Sequence, residues 1–267
     1  MKRLPRPALA GLLLLASCGG DEGPAVPPSK PAPAPAPAKP SRAAALLRGT
    51  GGYETGETEG GTLEIAAAYV GGEVPAPAEV PVTGGPGCAA KVLIETLLVD
   101  PASRGLRNVV VRLEGITSGK RPPERFTLDI RNCAFVPHVA AVMKGTRLEA
   151  RSADGVSHTV HARLHDETIF QIPLSPGEPP PPSRPFPQAG NVEIGCDQHS
   201  FMRAHVVVHT SPYAEVTDPG GKARMTGIPP GRHAYTAWHE QLGEKHGEIE
   251  IAAGAVARLR IEYEAQE

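Results

Sequence analysis

The sequence predicts an all-β fold. From about Gly61 onward, short runs rich in β-formers follow one another, Gly- and Pro-containing turn signals separate them, and no stretch carries a helical hydrophobic period of any length. Many short strands joined by such turns pack as a sandwich or a barrel. A chain of 267 residues allows one or two domains. Its formal net charge of −2 gives no footprint for nucleic acid or an anionic surface, so nucleic-acid binding is not expected.

Residues 1–18, MKRLPRPALAGLLLLASC, start basic (Lys2, Arg3, Arg6), continue apolar and end in small residues. The apolar run is too short to span a bilayer and reads as a secretion signal. Its end, Leu15-Ala16-Ser17-Cys18, resembles the lipobox of bacterial lipoproteins, which implies lipidation at Cys18. The place implied is the bacterial cell envelope, on the periplasmic or outer-surface side, in an oxidising compartment. Residues 19–60 carry alternating Pro-Ala, which favours a semi-rigid extended tether and builds no core.

Residues 61–210 form the first expected β unit. TLEIAAAYV, KVLIETLLV, NVVVRLEGI, FTLDI, RLEARS, HTVHARL, NVEIGC and HVVVHT are its strands in order. SPGEPPPPSRPFP, residues 175–187, is too rich in Pro for a central strand and reads as a surface loop. Residues 211–267 form a second unit: a strand, the turn Asp218-Pro219-Gly220-Gly221, a strand, the turn Pro229-Pro230-Gly231, a strand, and two more strands around an Ala-Gly turn. Some fifty residues are few for an independent core, so this unit is expected to pack against the first.

The chain has four cysteines, Cys18, Cys88, Cys133 and Cys196. With Cys18 assigned to lipid and Cys196 in a motif of its own, Cys88 and Cys133 remain as a pair in a disulfide-permissive compartment, and a bond between them is expected. The rival reading makes Cys133 a metal ligand beside His138 in CAFVPH.

The motif at Cys196 is GCDQHSFMRAHVVV, in which Cys196, His199 and Met202 have the spacing C-x₂-H-x₂-M just before a strand. Thiolate and thioether are soft donors and imidazole is borderline, a set that suits copper cycling between Cu(I) and Cu(II). A blue-copper site needs a Cys and two His in a near-trigonal plane with a weak axial Met. The second His is assigned to His158, at the start of the strand HTVHARL. His161, three residues on, points to the opposite face of that strand and is kept with Thr159 and His138 as a group around the ligands. His165, His205, His209, His233 and His246 read as solvated. Trp238 reads as a packing anchor between units, with His239 and Glu240 hydrogen-bonded there.

These residues carry a resemblance. CDQHSFMRAHVVV resembles the copper loop of the cupredoxins, with a spacing nearer to amicyanin than to plastocyanin. Asp154…His158-Thr159-Val160-His161-Ala162 is similar to the D-x-x-x-H-N-V-H-A segment of bacterial plastocyanin-like proteins, and CAFVPH to their C-x-x-x-P-H segment. VTDPGGKARMTGIPPGRHAYTAWHEQLG resembles the carboxypeptidase regulatory-like β-sandwich. The resemblance spans roughly residues 60–264. Thr159 stands where the family commonly has Asn, and Ser200-Phe201 where it often has Pro-Trp.

The resemblance implies a cupredoxin-like Greek-key sandwich followed by a small prealbumin-like sandwich. It also implies a type 1 copper site of His158, Cys196, His199 and Met202 that passes single electrons between transient protein partners. The expectation is an electron carrier instead of an enzyme, with His199 as the exposed edge for electron entry. The other readings are a copper chaperone or storage protein, a structural or carbohydrate-contacting β module, and a catalytic copper site with an open position.

Overall fold

A computed structural model describes residues 52–264, apart from 57, 58, 75, 77, 83–87, 89, 90 and 96. The expected signal segment, the expected lipidation at Cys18 and most of the expected tether lie outside the described residues. Among the described residues every regular element is a strand, and no helix is long and apolar enough to cross a membrane.

Most of the described strands form two β-sandwiches. The first is contiguous in sequence. One of its sheets orders the strands Arg184–Pro185, Arg147–Ser152, Arg125–Arg131 and Ala134–Val136. The other orders Glu167–Leu174, His158–Leu164, Gly190–Cys196, Arg203–His209 and Val139–Met143. Inward residues of both sheets, among them Leu128, Ile130, Leu148, Val160, Ile194 and Val206, form one core. The Pro-rich loop crosses the surface as expected. It is pinned by the fully buried Phe186, beside the short strand Arg184–Pro185 on the edge of the first sheet.

The second sandwich is not contiguous, and here the expected division at residues 210/211 does not describe the strand pairing. Gly61–Val70 lies between Lys222–Ile228 and Val256–Glu264, and Val110–Leu113 lies between Ala214–Val216 and Gly231–His239. Strands placed by sequence at the head of the first unit thus complete both sheets of the second. The physical reason is the one that made residues 211–267 look too small: five short strands cannot cover a two-layer core. The strand Gly61–Val70 turns Leu63, Ile65, Ala67 and Tyr69 inward against Met225, Leu259 and Ile261. Gly221, at φ +73°, makes the close approach between these segments possible, since a Cβ there would lie 2.3 Å from the Ala67 carbonyl oxygen.

The first sandwich is therefore an insertion between two adjacent antiparallel strands, Val110–Leu113 and Ala214–Val216. The sandwiches also pack side by side. In Arg203–His209, Val206 and Val208 face the inner core, while Val207 turns outward to meet Val110 and Val139, with Trp238 packed alongside. Both faces of this strand are covered, which accounts for its unbroken apolar run. Trp238 sits at this junction.

Candidate metal centre

Strand register brings the site together. His158–Leu164 and Gly190–Cys196 are antiparallel neighbours, and Val160 lies opposite Cys196. His158, two residues before Val160, shares its face, so the start of one strand and the end of the next present their side chains at the same edge of the sheet. The chain then turns through residues 197–202 and returns as Arg203–His209, with Gly195 paired to Arg203. The Met202 amide donates to the His199 carbonyl at 3.0 Å and closes that turn.

Cys196 is a free, buried thiol. The Nδ1 atoms of His158 and His199 lie 3.7 and 3.6 Å from its Sγ, and the two imidazole rings are 4.9 Å apart. His158, Cys196 and His199 are buried, and so is Met202 within the same core.

The surroundings fix which atoms face inward. His158 Nε2 donates to the Asp154 carboxylate at 3.1 Å, which leaves Nδ1 as the lone-pair atom facing Cys196. The same carboxylate accepts the backbone N–H groups of Asn132 and Cys133, at 2.7 and 2.8 Å. Burial, with His199 close by, lowers the pKa of His158 in spite of Asp154, so the ring is neutral and its lone pair free at neutral pH.

Thr159 and His161 brace the loop from the opposite face of their strand. The Thr159 hydroxyl accepts from Gln198 Nε2 at 2.9 Å, and its carbonyl accepts the Asp197 amide. His161 contacts the Asp197 carboxylate at 2.8 Å and Thr168 at 2.7 Å. Gln198 returns to the site, its Oε1 accepting from the Cys196 thiol at 3.3 Å. The shorter Thr159 thus ties the two ligand segments together through Gln198.

Cys88 and Cys133 are joined by a disulfide. Cys133 is therefore not a thiolate ligand, and the rival reading with His138 falls away. The disulfide has a position that sequence did not suggest: Cys88 Sγ lies 3.8 Å from His199 Nε2. His199 is only 8% exposed, so the expectation that its ring forms an open edge is corrected. Cys88 stands on one side of the ring and Phe201 on another, with ring centroids 5.8 Å apart.

His138 lies elsewhere. Its Nδ1 donates to the Arg203 carbonyl at 3.1 Å and its Nε2 faces Glu240 at 2.5 Å. It connects to the site through the chain step from Arg203 to Met202. His205 and His209, expected to be solvated, have protein partners: half-buried His205 faces Glu240 at 3.2 Å, and buried His209 donates to the Leu113 carbonyl at 3.0 Å. Buried His239 packs against Tyr263, and burial pushes its pKa down to about 4. The signal for these residues was the Val206–Val208 run, which marks a strand covered on both faces.

No protein-family model and no curated protein matches the chain. Among solved structures, it is similar to a reduced amicyanin variant at 22% identity and TM-score 0.29, covering 32% of this chain and 82% of that one. A second amicyanin variant, in its reduced Cu(I) form at pH 4, gives 18% identity and TM-score 0.26, with 37% and 98% covered. A Cu-containing nitrite reductase from Thermus scotoductus gives 20% identity and TM-score 0.28, with 37% of this chain and 24% of that one covered. The overlaps are partial, and the metal reading rests on the side chains just described.

Proposed function

We propose that the protein binds copper at His158, Cys196, His199 and Met202 and carries single electrons. The observation that carries this reading is the convergence of two imidazole Nδ1 atoms on one buried free thiol. The donor set fits the group: one thiol, two imidazoles with one tautomer fixed by Asp154, and a buried thioether on the same loop. Copper held there would supply a one-electron couple. The protein's own part is to keep the ligands dry, fixed and hydrogen-bonded, so that little rearranges between oxidation states. Burial of all four residues favours retention over delivery and leaves little room for a substrate. A lipid anchor at Cys18, a cell-envelope location and small transient redox partners belong to the same proposal.

Titration of the soluble, anaerobically purified chain with Cu(II) tests it. One equivalent should produce an intense visible thiolate-to-copper band and a reversible redox couple. Cys196→Ser should abolish the band, and His158→Ala should weaken or shift it. A colourless titration with the Cys196 thiol still fully reactive would overturn the reading.

A further inference from the structure

Away from Cys196, three buried or half-buried donors meet at the junction of the two sandwiches. His138 lies between the strands Ala134–Val136 and Val139–Met143, His205 is on Arg203–His209, and Glu240 directly follows Gly231–His239. Their ligand atoms all lie within 4.8 Å of one another. The Nε2 atoms of both histidines point at one carboxylate: His138 reaches Oε1 at 2.5 Å and His205 reaches Oε2 at 3.2 Å. The side chains of His138 and Glu240 are only 8% and 6% exposed.

We propose that His138, His205 and Glu240 form a second metal site, for a divalent borderline cation of the zinc type. The donor set, two imidazole nitrogens and one carboxylate oxygen, matches what such ions take, with a fourth position left for water. A second observation supports it. His138 Nδ1 is committed to donating to the Arg203 carbonyl. That hydrogen bond fixes the tautomer with Nε2 as the free donor, the arrangement by which backbone carbonyls orient metal-binding imidazoles.

Access is present on one side. His205 and Trp238 line a surface groove of about 720 Å³ that also holds Glu193, Glu244 and Glu114. Arg112 pairs with Glu114 and Glu244, and Arg203 with Glu193, so the groove offers an approach path and no charge bias. His138 closes the inner side. The site takes ligands from both sandwiches, so the ion would clamp the inserted unit to the one that carries it. The thiolate centre plays no part in this proposal.

The test uses the folded chain carrying Cys196→Ser, titrated with Co(II) alone. The chain has one Trp, and the Trp238 and His205 rings are 5.4 Å apart, so a paramagnetic ion on His205 quenches its fluorescence. The expected result is saturable quenching at one equivalent, reversed by Zn(II), with weak visible bands and no thiolate band. Glu240→Gln and His205→Ala, each added to that background, should weaken binding at least about tenfold, in line with loss of a ligand. The second change removes a side chain at the groove edge and leaves the inner packing in place. Absence of saturable binding, or an affinity in both variants unchanged from the Cys196→Ser parent, would overturn the proposal and leave a His–Glu–His hydrogen-bonded bridge only. Neither result depends on copper at Cys196.

Discussion

Replacing Asp154 with alanine removes one acceptor group from three donors at once: His158 Nε2 and the backbone N–H groups of Asn132 and Cys133. The three do not suffer equally. Asn132 is exposed and its N–H turns to water, whereas Cys133 and His158 are buried. Two donors left without partners, at about 1.5–3 kcal/mol each for bonds to a charged acceptor, give a loss of about 3–6 kcal/mol. That is a large share of the roughly 5–15 kcal/mol that holds a domain folded. Asp154→Asn is gentler, since its remaining oxygen can take the position that serves both Cys133 and His158. Its loss should stay near about 1–2 kcal/mol, confined to the exposed Asn132 donor and the missing charge. The assay is urea unfolding of the metal-free chain, read as a change in midpoint at constant slope. Copper competition on the same variants should show about 10–100-fold weaker binding in Asp154→Ala, because the imidazole loses the group that sets its tautomer. A midpoint shift worth less than about 1 kcal/mol, with unchanged copper affinity, would refute the assignment of Asp154 as the group that orients His158.

Replacing both Cys88 and Cys133 with alanine opens a loop with a sequence separation of 45 and should lower stability by about 4 kcal/mol in urea. The same variant should lose bound copper to a chelator faster, because Cys88 no longer stands against His199. Gly221→Ala places a Cβ 2.3 Å from the Ala67 carbonyl oxygen at a positive φ, and should destabilise the chain by about 2–4 kcal/mol. A change within about 0.5 kcal/mol would argue against the pairing of the N-terminal strand with the C-terminal ones. Burial lowers the pKa of His209 below its ordinary 6.5. The unfolded chain then binds a proton that the folded chain refuses, so His209 subtracts stability as pH falls below about 6.5, and the penalty grows until the folded pKa is reached. His209→Gln should flatten that part of a stability–pH profile, measured by thermal or urea unfolding between pH 7 and 5.

The candidate metal centre was legible because three of its residues are close in sequence and all four are chemically distinctive. C-x₂-H-x₂-M names three donors, and a polar turn followed by a strand marks His158 as the fourth. Its register partner, Val160 opposite Cys196, follows from ordinary antiparallel pairing. What lay beyond reach was pairing at long range. The alternation in Gly61–Val70 says that one face is buried, but not that the covering strands begin at residues 222 and 256. Glu167–Leu174 was not among the expected strands; it carries Pro173, and the structure places it at a sheet edge, where a proline is tolerated. His138, His205 and Glu240 are far apart in the chain and meet only where two sandwiches touch, so no local spacing reports them.

The insertion has a consequence for the order in which the protein assembles. Every strand of the inserted sandwich lies between residues 125 and 209, so that unit can fold once those residues have been made. The outer sandwich cannot follow the same schedule. Gly61–Val70 is synthesised early, yet one of its two neighbours is Val256–Glu264, the last strand described. Its hydrogen-bonding edges stay without their ladder partners until residues 222 and 256 are made, and closing so long a loop is slow. The outer unit is therefore the later and more aggregation-exposed step, and the first sandwich, already folded, holds the two strands at its ends together while it occurs.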